Sequence, residues 1–237
     1  MDFDFSGNCY YNRICINCVV YIPMTYYKYP RTNHLPYSLS KTADDETLFS
    51  DEHFYKMDSV VVTEKMDGEN TTVYYNGRCH ARSIDSKHAE YHSWLLNEIQ
   101  NWCYYIGENR RVCGEYLYAQ HSIHYANLKT YFYGFSLWER AKCLDWETTV
   151  SEFNRLKIEP VPLLYIGKYS ADLVKDIFKS VVDNGGEGIV IRNAGEFYYD
   201  TFSENIAKCV RANHVQTDEH WTKQEIKTNG LKGIKNG

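Results

Sequence analysis

The sequence predicts an α+β fold in which antiparallel β-sheets are flanked by helices. Three observations carry this. Short β-type runs follow one another as hairpins, with Asn76-Gly77 the plainest turn between two of them. Helical periodicity is confined to a few stretches between those runs. Strands and helices do not alternate as regular βαβ units would.

Residues 1–25 read as an N-terminal extension. Residues 28–38 form a polar loop punctuated by Pro30 and Pro36, and loops of this kind often sit over a site, so Arg31 and His34 are candidates. A surface loop with a capping histidine explains them equally well. Residues 42–46 read as a helix start or an acidic turn. Val60, Val61 and Val62 open a strand that runs to Lys65, and 71–75 and 78–83 are the hairpin around Asn76-Gly77. A helix is expected over 88–105, where Tyr91, Trp94, Leu95, Ile99 and Trp102 recur at helical spacing. Strands follow at 111–119 and 130–138, a helix at 147–157, a strand at 161–166 and a helix at 171–182. The turn Asp183-Asn184-Gly185-Gly186 leads into a strand at 188–192, and a last strand covers 206–211. The organisation is then an extension at 1–25, one domain at 26–222, and a polar tail at 223–237 expected to fray.

With 237 residues the chain suffices for one domain with a proper core. A net charge of −5 argues against a general nucleic-acid coat protein, yet leaves room for an enzyme that grips a nucleic-acid end through a local basic groove. The apolar run 14–24 is too short and interrupted to span a bilayer, so no membrane role is expected. No signal peptide precedes the scattered cysteines, and a cytoplasmic protein with reduced thiols follows. Cys15-x-x-Cys18, with Cys9 before it, has the beginning of a zinc-site spacing. No second pair of matching spacing follows, and ordinary thiols are the expectation.

A strand that ends by presenting one lysine, followed at once by Asp67-Gly68, suggests a rigidly held amine used as a nucleophile. A solvated lysine at a surface strand end is the plain alternative. Further pieces occur in order: Glu64-Lys65-Met66-Asp67-Gly68-Glu69-Asn70, Ala81-Arg82-Ser83, Gly114-Glu115-Tyr116, 131–136 (YFYGFS), 187–192 (EGIVIR) and Ala207-Lys208-Cys209-Val210-Arg211. This series resembles the successive motifs of the covalent nucleotidyltransferase superfamily of ligases and capping enzymes. In detail it is most similar to ATP-dependent RNA ligases of the nick-sealing branch, and the resemblance covers 29–221.

The resemblance implies an adenylyltransferase domain (ATP-grasp-like) that joins RNA 3′-OH and 5′-phosphate ends through lysyl-AMP and an adenylylated RNA 5′ end. It implies ATP and magnesium or manganese as cofactors. Lys65 is then the catalytic nucleophile. Its amine must be neutral to attack, so an ordinary pKa of about 10.4 has to fall by roughly 3, about 4–5 kcal/mol, through burial and nearby positive charge. Lys208 and a divalent cation are the implied sources. Glu115 and Glu187 become metal-binding or nucleotide-organising groups, against the alternative of ion pairs such as Glu187 with Arg192. Phe135 becomes the adenine-stacking ring, although strict alternation puts it on one face with Tyr131, Tyr133 and Leu137, where core packing is a serious competitor. Arg82 and Asn70 are similar to residues that hold ribose and phosphates, and Glu64 to one that reads the adenine amine. The last motif departs from the K-x-K of many relatives: Val210 stands at the second position, and Arg211 would point to the other strand face unless a bulge intervenes.

Only 29 residues follow Lys208, too few for the β-barrel module of DNA ligases and capping enzymes. The expectation is a nearly bare nucleotidyltransferase domain acting on RNA ends, in nicked duplex RNA or an RNA/DNA hybrid, with an accessory RNA-binding partner. A DNA ligase or capping-type enzyme, and a non-catalytic RNA-binding domain of the same fold, are the alternatives.

Overall fold

The protein is described from a computed structural model covering residues 25–39, 46–48, 50–212 and 226–233. In chain order the elements are β1 (Asn33–His34), α1 (Glu52–Tyr55), β2 (Val60–Lys65), β3 (Glu69–Tyr74), β4 (Cys79–Ala81), α2 (Ser93–Glu98), β5 (Arg110–Tyr116), β6 (Phe132–Glu139), β7 (Lys142–Cys143), α3 (Trp146–Leu156), β8 (Glu159–Pro160), β9 (Leu163–Gly167), α4 (Ala171–Asp183), β10 (Gly188–Asn193), β11 (Phe197–Tyr198), α5 (Phe202–Asn205) and β12 (Ile206–Val210). Two sheets result. One has the order β1-β12-β10-β2-β9, the other β11-β7-β6-β5-β3-β4 with β8 beside β6. Pairing is antiparallel except for β1 with β12 and β8 with β6, so the α+β expectation holds.

β2 is an interior strand of its sheet, between β10 and β9, and is covered on both faces, which is why it reads as an unbroken valine run. Val61 belongs to the core shared with Val73, Val112 and Phe153, whereas Val60 and Val62 pack with Val174 and Phe178 of α4. The helices that hold this arrangement start where their sequences say. Asp145 accepts a hydrogen bond from the Thr148 N–H at 2.8 Å to cap α3, and Ser170 accepts from the Leu173 N–H to cap α4. A left-handed Gly185 follows α4 and turns the chain into β10.

Four expectations need correction. The stretch 88–105 is no single helix: α2 covers Ser93–Glu98, flanked by 3₁₀ turns at Glu90–His92, Ile99–Asn101 and Cys103–Tyr105. His92 spends its ring on the Ala89 N–H and on Glu69, and Trp102 leaves helical backbone at φ −140°, while Leu95, Ile99 and Trp102 are still buried as the periodicity requires. The Asn76-Gly77 hairpin uses a left-handed residue only at Gly77 (φ 80°), a longer loop than a two-residue turn. The strand expected at 161–166 is present but begins after Pro162, as β9 at Leu163–Gly167, and the short β8 just before it belongs to the other sheet. Finally, residues 226–233, assigned to a fraying tail, pack on the domain, with Asn229 fully buried. Residues 1–24 with Cys9, Cys15 and Cys18, and 42–45, lie outside the described residues. Among the described residues no helix is long and apolar enough to cross a membrane.

Gly188 stands at the crossing of β2, β10 and β12, opposite both Lys65 and Val210. A Cβ there would come within 2.0 Å of the Cys209 carbonyl oxygen. Gly188→Ala is therefore expected to force these strands apart and cost about 1–3 kcal/mol, read as a lowered thermal midpoint by circular dichroism.

Candidate active site

The two sheets leave a cavity of about 570 Å³ between their contributing strands. Its lining follows from register. Thr63, Val190 and Lys208 sit side by side across β2, β10 and β12, one alternation step before the rung that pairs Lys65 with Gly188. Lys65 and Lys208 thus share one sheet face, and both line the cavity. From the second sheet, β3 and β5 set Asn70 directly opposite Glu115. Both reach the same space.

The Lys65 Nζ donates to Glu187 Oε2 at 2.6 Å, and the Glu187 side chain is only 3% exposed. The alternative pairing of Glu187 with Arg192 is not made: Arg192 gives its donors to the carbonyls of Asn193, Phe135 and Leu144 and to the Cys143 sulfur. Burial pushes the Glu187 carboxyl up, against the pull of Lys65. Burial likewise pushes Glu115 up, to about 8, with Lys65 opposing and the charges of Glu187 and Asp67 adding to it. For Lys65 itself, burial pulls the pKa down, but Glu187 and Glu115 outweigh it and hold the amine above its ordinary value. This reverses the expected direction. The site's own carboxylates lock the ammonium, and a neutral nucleophile requires their charge to be met by something else.

Phe135 escapes the face that strict alternation assigns to it. The β5–β6 register runs Cys113 to Ser136 and then Gly114 to Gly134, which leaves Phe135 as an unpaired bulge residue. The bulge inverts the side-chain parity: Gly134 abuts the Phe153 ring, and beyond the bulge Leu137 lies in that same core. Phe135 is left half-buried at the cavity wall, its ring 5.3 Å edge-to-face from Tyr29.

The remaining candidates divide. Arg82 is exposed at the cavity edge beside Ser83. Glu64 falls in the row of Ile189 and Cys209, on the face covered by α4, yet still reaches the cavity rim, where burial raises its carboxyl. The Asn70 Oδ1 is buried without a hydrogen-bond partner among the described residues. Arg211 follows the end of β12 and does not line the cavity; its N–H donates to the Glu187 carbonyl at 2.9 Å. Of the two loop candidates, Arg31 is outside the lining and His34 is buried in β1 with its Nδ1 2.7 Å from the Ser38 hydroxyl, whereas Lys28, Tyr29, Pro30 and Thr32 do line the cavity.

Sequence reasoning missed a second set. Asp67 Oδ2 accepts from the Ser122 N–H (2.7 Å), the Ser122 hydroxyl (2.6 Å) and the Ile123 N–H (2.8 Å), and the Asp67 N–H donates to the Tyr125 hydroxyl at 2.9 Å. His121 of that loop, and Trp146 at the start of α3, line the cavity. Asp67 belongs to the motif, but nothing in the chain flags Ser122, Ile123 and Tyr125, which meet it across more than fifty positions. Among the described residues no group of three or more His, Cys, Asp or Glu side chains is arranged to hold a metal ion by itself. Glu115 lines the cavity, whereas Glu187 is outside the lining and meets it through the Lys65 amine.

The fold is that of known ligases. An archaeal ATP-dependent RNA ligase aligns in two forms: form 1 with TM-score 0.55 and 20% identity over 78% of this chain and 48% of that one, form 2 with 0.52 and 17% over 69% and 46%. A substituted Naegleria gruberi RNA ligase solved with ATP and Mn aligns with TM-score 0.51 and 17% identity, covering 81% of this chain and 62% of that one. The chain thus spans about half the length of the archaeal ligase it matches. No curated protein sequence matches it. A family model described as RNA ligase matches residues 58–210, from the strand that carries Lys65 to the end of the strand that carries Lys208. The chain belongs to the RNA ligase family.

Proposed function

We propose that this protein is an ATP-dependent RNA ligase that joins a 3′-OH to a 5′-phosphate end, and that Lys65 carries the adenylyl group between ATP and RNA. The observation that bears most weight is the Lys65–Glu187 contact, an amine at the tip of a rigid strand facing a cavity that Lys208 and Glu115 also line. In the first step Lys65 Nζ attacks the α-phosphorus of ATP, a phosphorus–nitrogen bond forms, the bond to the β-phosphate breaks and pyrophosphate leaves. In the second, a 5′-phosphate oxygen of RNA takes the adenylyl group from Lys65. In the third, the 3′-OH attacks that 5′-phosphate and AMP departs.

The chain's own groups supply the rest. Lys208 places positive charge over the phosphates, and Arg82 and Asn70 hold the ribose and phosphate oxygens. Phe135 offers a ring face for the base, with Glu64 at the rim to read its amine. Arg211, outside the lining, acts on phosphate only if the strand end shifts. Glu115 and Glu187 would hold a divalent cation, magnesium or manganese, together with the phosphates. Their mutual repulsion fits such a guest, and two carboxylates plus substrate phosphates is the usual manner of binding it. When bound, that cation neutralises the carboxylates that otherwise hold Lys65 protonated. Manganese and ATP occur together in the Naegleria gruberi ligase. The substrate reading extends to nicked duplex RNA or an RNA/DNA hybrid, with an accessory partner supplying duplex grip. The described cysteines, all unpaired, accord with a cytoplasmic setting.

Incubation with ATP labelled at the α-phosphate is expected to leave acid-labile label on the protein and none on Lys65→Ala; label persisting on the variant refutes the assignment. Chelation of divalent ions is expected to abolish labelling, with recovery on adding magnesium or manganese. Phe135→Ala is expected to weaken ATP binding by about 1–3 kcal/mol, visible as a raised KM for ATP in the same assay. Ligation of a nicked RNA duplex is expected to exceed that of free single strands.

A further inference from the structure

The segment 226–231 returns to the domain through one fully buried residue, Asn229. All of its polar groups are engaged by the loop that joins β5 to β6. Its Nδ2 donates to the carbonyls of Leu117 (2.8 Å) and Ala119 (3.4 Å), and its Oδ1 accepts from the Tyr125 N–H at 2.8 Å. Its N–H donates to the Tyr118 carbonyl (2.9 Å), and its carbonyl accepts from the Tyr131 hydroxyl (3.1 Å). The next residue, Gly230, donates its N–H to the Tyr125 carbonyl at 2.7 Å. Both backbone groups of Tyr125 are therefore fixed from this segment.

Tyr125 in turn accepts from the Asp67 N–H, and Ser122 and Ile123 of the same loop bind the Asp67 carboxylate. The turn has no slack on its other side: a Cβ on Gly68 would lie 2.6 Å from both Leu117 Cδ2 and the Tyr116 carbonyl oxygen. Contacts therefore run in series from Asn229 through Tyr125 to Asp67, two residues beyond the amine of Lys65. Asn229 does not line the cavity. Without its side chain, buried carbonyls at 117 and 119 and the N–H of 125 lose their partners, and a loop left with such orphans rearranges toward water.

We propose that Asn229 is a positioning residue for adenylyl transfer: segment 226–231 holds loop 117–125 in the shape that fixes the Asp67-Gly68 turn, and with it the aim of the Lys65 amine at the α-phosphate. The proposal rests on the ligase reading for its rate consequence and stands on geometry alone for its structural one.

The test uses the full chain and two readouts. In single-turnover formation of labelled protein from α-labelled ATP, Asn229→Ala is expected to slow the rate at saturating ATP by about tenfold to a hundredfold, with KM for ATP changed far less, since misplacing a nucleophile costs turnover rather than ground-state binding. In amide hydrogen exchange the same variant is expected to expose the N–H groups of Asp67, Ser122 and Ile123 while those of Val61 and Val62 stay protected. An unchanged labelling rate, or an unchanged Asp67 amide, overturns the proposal. If Asn229→Ala loosens the whole domain, Ser122→Ala decides: the same rate defect at an unaltered thermal midpoint supports it, and wild-type labelling overturns it. If the native protein takes no label, the ligase reading falls, and the exchange of the Asp67 amide alone decides the positioning.

Discussion

A half-buried ammonium on a buried carboxylate, Lys65 with Glu187 at 2.6 Å, is the constraint around which this domain is arranged. Such a pair is a weak source of stability, because both charges must leave water and their attraction does little more than repay that cost. Its retention at the mouth of a cavity, with Glu115 nearby and pushed up to about 8, marks a place where unmatched charge is held ready. Around the Lys65 amine, the charges of Glu187, Glu115 and Asp67 and the Glu187 hydrogen bond together outweigh the effect of burial.

The charge cluster draws on both sheets. One contributes Lys65, Glu187 and Lys208 through the alignment of β2, β10 and β12; the other contributes Asn70 and Glu115 through β3 and β5. Close approach of the central strands is possible because Gly188 lacks a side chain where the Cys209 carbonyl passes. The bulge at Phe135 is a comparable device: one extra residue turns an aromatic ring from the interior to the cavity wall without disturbing the core residues on either side of it.

Positive charge in this acidic chain is gathered in one place. The net charge is −5, yet Lys28, Arg82 and Lys208 all face one cavity. Attraction for an anionic ligand is thereby local to the cavity.

The sequence by itself determined the strand that carries Lys65, the capped helices α3 and α4, the α+β class and the order of the candidate motifs. These are properties of periodicity, turn residues and spacing, which are local. Tertiary structure decided what depends on distant partners. It broke the expected helix at 88–105 because His92 and Trp102 found better contacts outside it, and it folded 226–231 back through Asn229, whose five partners lie about a hundred positions away in the chain. It settled the face of Phe135 by a bulge that no alternation pattern contains, and it raised rather than lowered the pKa of Lys65, since that sign is the sum of burial and the charges that the fold gathers round one amine.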